Sequence, residues 1–120
     1  MADVLVLVND LIFETRIRAA AADGGLAASF SKDAAGFARL LVAENPTLVI
    51  VDLNSGPNAV EAAAQARLQL PDLRVVCFAS HVDRELAAAA KSVGAEVLPR
   101  SAFVQKLPEI LAEVREAASD

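Results

Sequence analysis

Two apolar runs end on groups able to do chemistry. Val4-Leu5-Val6-Leu7-Val8 stops at Asn9-Asp10, and Leu48-Val49-Ile50-Val51 stops at Asp52. A carboxylate directly after four apolar residues is costly to bury without a role, so Asp52 reads as a site position. Should the two ends converge, their like charges need something positive between them. Mg2+ suits such a corner, because it takes oxygen ligands and keeps several waters. A carboxylate beside that ion can attack a phosphoryl group. Each residue also has a plainer reading. Asp10 is placed to cap a following helix, and Arg100 has the simple reading of a surface arginine. His81 reads as a solvated loop histidine, and Cys77 as a small hydrophobe inside a buried run.

Whether the acidic ends meet depends on the elements that carry them. After the first strand, Phe13, Ile17 and Ala20 repeat at helical spacing until Asp23-Gly24-Gly25. A weaker strand over 26–31 leads to a helix with Phe37, Leu40 and Leu41, which Asn45-Pro46 breaks. Beyond the strand that ends on Asp52, Ser55-Gly56-Pro57 is turn chemistry. Asn58 followed by Glu61 predicts a capped helix with Val60, Ala64 and Leu68 along one face. Val75-Val76-Cys77-Phe78 is the fourth strand. Asp83 is placed to cap a helix with Leu86, Ala90 and Val93 inward, closed by Gly94. A short fifth strand covers 95–98, and Pro108 is predicted at the first position of a last helix bearing Ile110, Leu111 and Val114.

Alternating strands and helices imply right-handed crossovers and a parallel sheet between two helical layers. The fold class is α/β, a flavodoxin-like (βα)5 three-layer sandwich with strand order 2-1-3-4-5, one domain over residues 1–120. A dinucleotide-binding reading lacks its glycine-rich turn, since Val8-Asn9-Asp10-Leu11 has no glycine. In the order 2-1-3-4-5 the first and third strands are neighbours at the switch point, where open α/β sheets bind ligands. Asp10 and Asp52 therefore meet.

At this point the chain resembles the receiver domains of bacterial response regulators, through VLVLVND, LVIVDLN, VVCFASHVD and GAEVLPRSAF. The resemblance implies that Asp52 is the phosphoacceptor position and Asp10 the second member of an acidic pair. It implies that Asn54 offers its backbone carbonyl to a metal. Four positions depart from the pattern. Asn9 replaces the first acid, leaving two carboxylates and making Asn9 a weak metal ligand. Ala79 stands where Thr or Ser is expected, with Ser80 one residue on. Arg100 stands in the lysine position with Pro99 before it, and Val97 falls where a switch aromatic is expected.

Composition narrows the function. The net charge of −5 argues against nucleic acid or an acidic membrane surface as the main partner. A lone cysteine forms no internal disulfide, the start lacks a signal peptide, and no apolar run reaches membrane-spanning length, so a cytoplasmic location is expected. No output domain is expected after the last helix. The leading expectation is a non-enzymatic signalling module, an atypical or pseudo-receiver that binds other signalling proteins. Its contact surface is expected around the fourth helix, fifth strand and fifth helix, near Arg84, Lys91 and Arg115, with a homodimer as one form. The alternative is a working receiver phosphorylated on Asp52 by a histidine kinase with Mg2+. Mg2+ binding is expected to be weak, and Arg100 is expected near the acidic corner, where its planar fork suits pairing with a carboxylate. A small-ligand binder lacks the glycine- and serine-rich phosphate cradle, and a haloacid-dehalogenase-type phosphatase lacks Asp-x-Asp after the first strand.

Overall fold

Runs of valine, isoleucine and leucine become central strands because only a parallel sheet covered on both sides keeps every residue of the run dry. The structure, a computed structural model, describes residues 2–80 and 83–119. Strands β1 (Val4–Leu7), β3 (Leu48–Asp52) and β4 (Arg74–Ala79) form the centre, with β2 (Ala28–Ser31) and β5 (Glu96–Pro99) at the edges. All neighbours pair in parallel, in the order β2-β1-β3-β4-β5. The flavodoxin-like topology expected from the sequence is the one observed.

The helices are α1 (Leu11–Asp23), α2 (Ala34–Glu44), α3 (Ala59–Gln69), α4 (Arg84–Ser92) and α5 (Arg100–Ser119). Strand side chains alternate between two cores. Leu5, Leu7, Val49, Val51 and Cys77 pack with α2, α3 and α4, whereas Val4, Val6, Ile50, Val76 and Phe78 pack with α1 and α5. Both cores are dry, and at about 25 cal/mol per Å2 of apolar area they supply most of the drive to fold. Among the described residues no helix is long and apolar enough to cross a membrane.

Several local readings need correction. Pro108 does not open the last helix; α5 begins eight residues earlier, at Arg100, and holds Pro108 inside it. An interior proline costs about 3 kcal/mol, but Phe103, Leu107, Ile110, Leu111 and Val114 form one buried stripe that outweighs it. Pro108 itself lies on the exposed side, where a carbonyl deprived of its partner can be hydrated. Helix α3 buries Ala59, Ala62, Ala63 and Ala66, not the face of Val60, Ala64 and Leu68; Leu68 is 76% exposed. Small side chains let α3 sit close to the sheet, and close approach, more than bulk, decides its buried face. Neither Asn58 nor Asp83 makes a side-chain cap bond. Strand β2 is also shorter than expected, starting at Ala28.

Candidate functional site

The site begins with the pairing of β1 and β3, which sets Leu7 beside Val51 and brings the Asn9-Asp10 turn against Asp52. Asp52 is the buried charged residue among the described ones, 1% exposed. Its Oδ1 accepts a hydrogen bond from the Asn54 backbone N–H at 2.9 Å. Burial pushes the Asp52 carboxyl above the usual aspartate range. The Asn54 N–H and the Arg100 charge pull it back, Asp10 pushes it further up, and the net direction is up. Asp10 caps α1, its Oδ1 accepting from the N–H groups of Ile12 (2.9 Å) and Phe13 (3.2 Å). The Asn9 side-chain amide donates to the Ser55 carbonyl at 2.7 Å.

Arg100, at the junction of β5 and α5, supplies the positive charge. Its Nη2 lies 3.8 Å from Asp52 Oδ1, an ion-pair distance beyond hydrogen-bonding reach. Its guanidinium carbon sits 5.1 Å from the ring centre of Phe13, within cation–π range. Phe13 stacks on Phe78 (5.0 Å) and Phe78 on Phe103 (4.4 Å), so a three-ring column from α1, β4 and α5 underlies the arginine. The Arg100 Nε is buried without a hydrogen-bond partner.

The neighbouring loops are tied by a side chain the sequence marks only for its backbone. Asn54 Nδ2 donates to Asp83 Oδ2 at 2.6 Å, and Asn54 Oδ1 accepts from the Ser80 N–H at 2.9 Å. The carboxylate read as a cap of α4 is thus spent on Asn54. Ala79 is buried at the end of β4 and brings no hydroxyl; Ser80 follows it, half-buried. His81 lies outside the described residues. The buried Cys77 thiol faces the core opposite the aromatic column, and burial pushes it up to about 12.

These atoms define what the corner can hold. Among the described residues, no group of three or more histidine, cysteine or acidic side chains is placed to bind a metal. Asp10 and Asp52 each use one carboxylate oxygen in the hydrogen bonds above. That leaves two carboxylate oxygens for a hard cation, a donor set poor in charge.

A second feature lies beside the corner. A groove of about 190 Å3 runs between α4 and β5, floored by Ala79, Val97 and Leu98, with Arg84 and Lys91 at its rim. Arg115 is elsewhere: its Nη1 donates to the Gly24 carbonyl at 3.0 Å, bracing the turn after α1. It therefore does not share a face with Arg84 and Lys91. The Asn54 clamp and the aromatic column were missed in the sequence. The one available signal was that five phenylalanines serve a chain without tryptophan or tyrosine, and one of them, Phe13, stands a single turn beyond Asp10.

No model of a known protein family matches the chain, and no curated protein matches it. Solved structures do match in fold. The receiver domain of NtrX from Brucella abortus is 20% identical with a TM-score of 0.82, covering 95% of this chain and 98% of that one. A response regulator receiver domain from Clostridium thermocellum is 17% identical with a TM-score of 0.83, covering 99% and 98%. A response regulator from Thermotoga maritima is 21% identical with a TM-score of 0.77, covering 92% and 94%. The fold of this chain is the receiver fold.

Proposed function

We propose that the chain is a signalling module that works by binding another protein, with its acidic corner turned away from phosphoryl chemistry. One observation carries the reading: Asp52 is buried and its charge is answered from within the chain, by Arg100 at 3.8 Å. The other departures agree with it. Ala79 offers no hydroxyl to a phosphoryl oxygen, Asn9 spends its amide on a backbone carbonyl, and the Asn54 side chain already ties together the two loops flanking Asp52. Any rearrangement of those loops must first break that clamp.

The partner surface in this reading is the α4–β5 groove, where the cations Arg84 and Lys91 outnumber the one lining carboxylate, Asp83, on an otherwise acidic chain. Other signalling proteins are the class of partner, a second copy of the chain included. Were Mg2+ to bind, Asp10, Asp52 and the Asn54 carbonyl would hold it, and it would supply positive charge. Arg100 supplies part of that charge already, so the ion has less to gain.

A second reading, a phosphoacceptor receiver modified on Asp52 by a histidine kinase, is favoured by one observation. Asp52 sits at the end of β3 with one carboxylate oxygen outside its hydrogen bond to Asn54. Incubation with a small acyl-phosphate donor and Mg2+, followed by intact-mass measurement, separates the two. The proposed function expects no phosphoryl increment. An acid-stable, base-labile increment that disappears in Asp52→Asn would establish the second reading in its place.

A further inference from the structure

The outer face of the α2–α3 pair exposes bulky apolar side chains and few charges. A groove of about 270 Å3 runs between the two helices, floored by Phe37, Leu41 and Ala62. Ala35 and Ala38 line it from α2, and Glu61, Gln65 and Gln69 from α3. Val42 continues the α2 row at helical spacing, and Leu68 adjoins Gln65 on α3; they are 73% and 76% exposed. A single exposed apolar residue needs no explanation, but these two stand at one level on adjacent helices. Both helices have eleven residues, and as crossovers of a parallel sheet they run in the same direction. Val42 lies two residues before the end of α2 and Leu68 one before the end of α3. Arg39 shares the α2 face with Ala35 and Val42, and Glu61 stands in the first turn of α3. Neither makes an ion pair or a side-chain hydrogen bond among the described residues.

We infer that two copies of the chain meet on this face, in a weak dimer whose two-fold axis runs parallel to α2 and α3. That axis sets α2 of one copy against α3 of the other, and symmetry makes every pairing occur twice. Val42 then meets Leu68 of the second copy at the same level. Arg39 reaches Glu61 of the second copy, which stands about 4.5 Å nearer the helix starts at the rise of an α-helix. A two-fold axis perpendicular to the helices does worse. It sets Leu68 against the first turn of the second α3, where an apolar side chain would desolvate Glu61. The face is balanced in charge, Arg39 against Glu61, so the net charge of −5 on each copy is not concentrated there. Each helix is about 16 Å long, which puts the contact at the small end of specific interfaces and makes the dimer dependent on concentration. The α4–β5 groove lies on the far side of α3 in the same helical layer. It stays open in both copies, so the dimer stands or falls separately from the proposed function.

The test is sedimentation equilibrium on the whole chain across about 0.01–1 mM, the range in which so small an interface dissociates. A reversible monomer–dimer equilibrium is expected. Val42→Asp and Leu68→Asp change exposed positions that the fold tolerates. Each should weaken the dimer about tenfold or more, because each puts an unpaired carboxylate into both symmetric pairings. Arg39→Glu should weaken it about threefold, and adding Glu61→Arg to that chain should restore the original affinity. Register is read with a short bis-maleimide crosslinker. Chains carrying Val42→Cys mixed with chains carrying Leu68→Cys should crosslink, and neither should do so alone; the native Cys77 is buried and stays silent. A chain that remains monomeric throughout, a dimer that survives Val42→Asp, or crosslinking of one variant alone as readily as the mixture would overturn the inference. So would equal weakening by Arg84→Glu and Lys91→Glu, which moves the contact to the α4–β5 groove.

Discussion

Replacing Phe78 by leucine is the sharpest test of how the corner is supported. Phe78 is fully buried and is the middle ring of three, with neighbours at 5.0 and 4.4 Å and interplanar angles of 18° and 19°. Leucine keeps most of the apolar area and loses both ring contacts. Each aromatic pair is worth about 0.5–1.5 kcal/mol beyond its buried area, so the two together predict a loss of about 2 kcal/mol, with a small cavity adding to it. For a domain of this size that is a fall in Tm of roughly 10 °C. The chain has no tryptophan or tyrosine, so urea unfolding is followed by far-UV circular dichroism. Cys77→Ala is the control one residue away, because Cys77 faces the other core. A loss below about 0.5 kcal/mol in Phe78→Leu would mean that the column is mere adjacency, and Arg100 would then need another support.

Three further outcomes are expected. Burial raises the Asp52 carboxyl in the folded protein. Its contribution to stability is therefore fully present below the ordinary aspartate pKa and is lost as pH rises through the folded-state value. Asp52→Asn should gain on the wild type in urea midpoint as pH rises across that window, and a variant that falls behind would reverse the sign. Calorimetric titration should show weak or absent Mg2+ binding that Asn9→Asp strengthens by restoring a charge; tight binding to the unaltered chain contradicts this. Arg74 bridges β4, β5 and α5 through Glu96 (2.7 Å) and Glu113 (2.5 Å). All three side chains are partly exposed, so Arg74→Ala should cost about 1 kcal/mol, less at high salt, and a salt-independent loss would point to packing instead.

The parallel sheet was legible because β1, β3 and β4 are continuous apolar runs, a pattern that only two-sided burial explains. Strand order followed from that, and with it the meeting of Asp10 and Asp52. Helix details were legible only where bulky residues repeat. The stripe of Ile110, Leu111 and Val114 was readable, whereas the buried face of α3 is made of alanines that carry no periodic signal of their own. Pro108 misled because its local preference for a helix start is real, and tertiary burial of Phe103 and Leu107 overrode it. The Asn54 clamp was illegible for a different reason. Its partners Ser80 and Asp83 lie 26 and 29 residues away, and nothing local marks an asparagine amide as a bridge.

The central claim is that Arg100 answers the Asp52 charge from inside the chain. A carbon-13 NMR titration of the Asp52 side-chain carboxyl, in the wild type and in Arg100→Gln, tests it directly. The account predicts a midpoint above the usual aspartate range in the wild type and a higher one still in the variant, because burial persists while the compensating charge is gone. An Asp52 midpoint at the ordinary value, unmoved by Arg100→Gln, would contradict it.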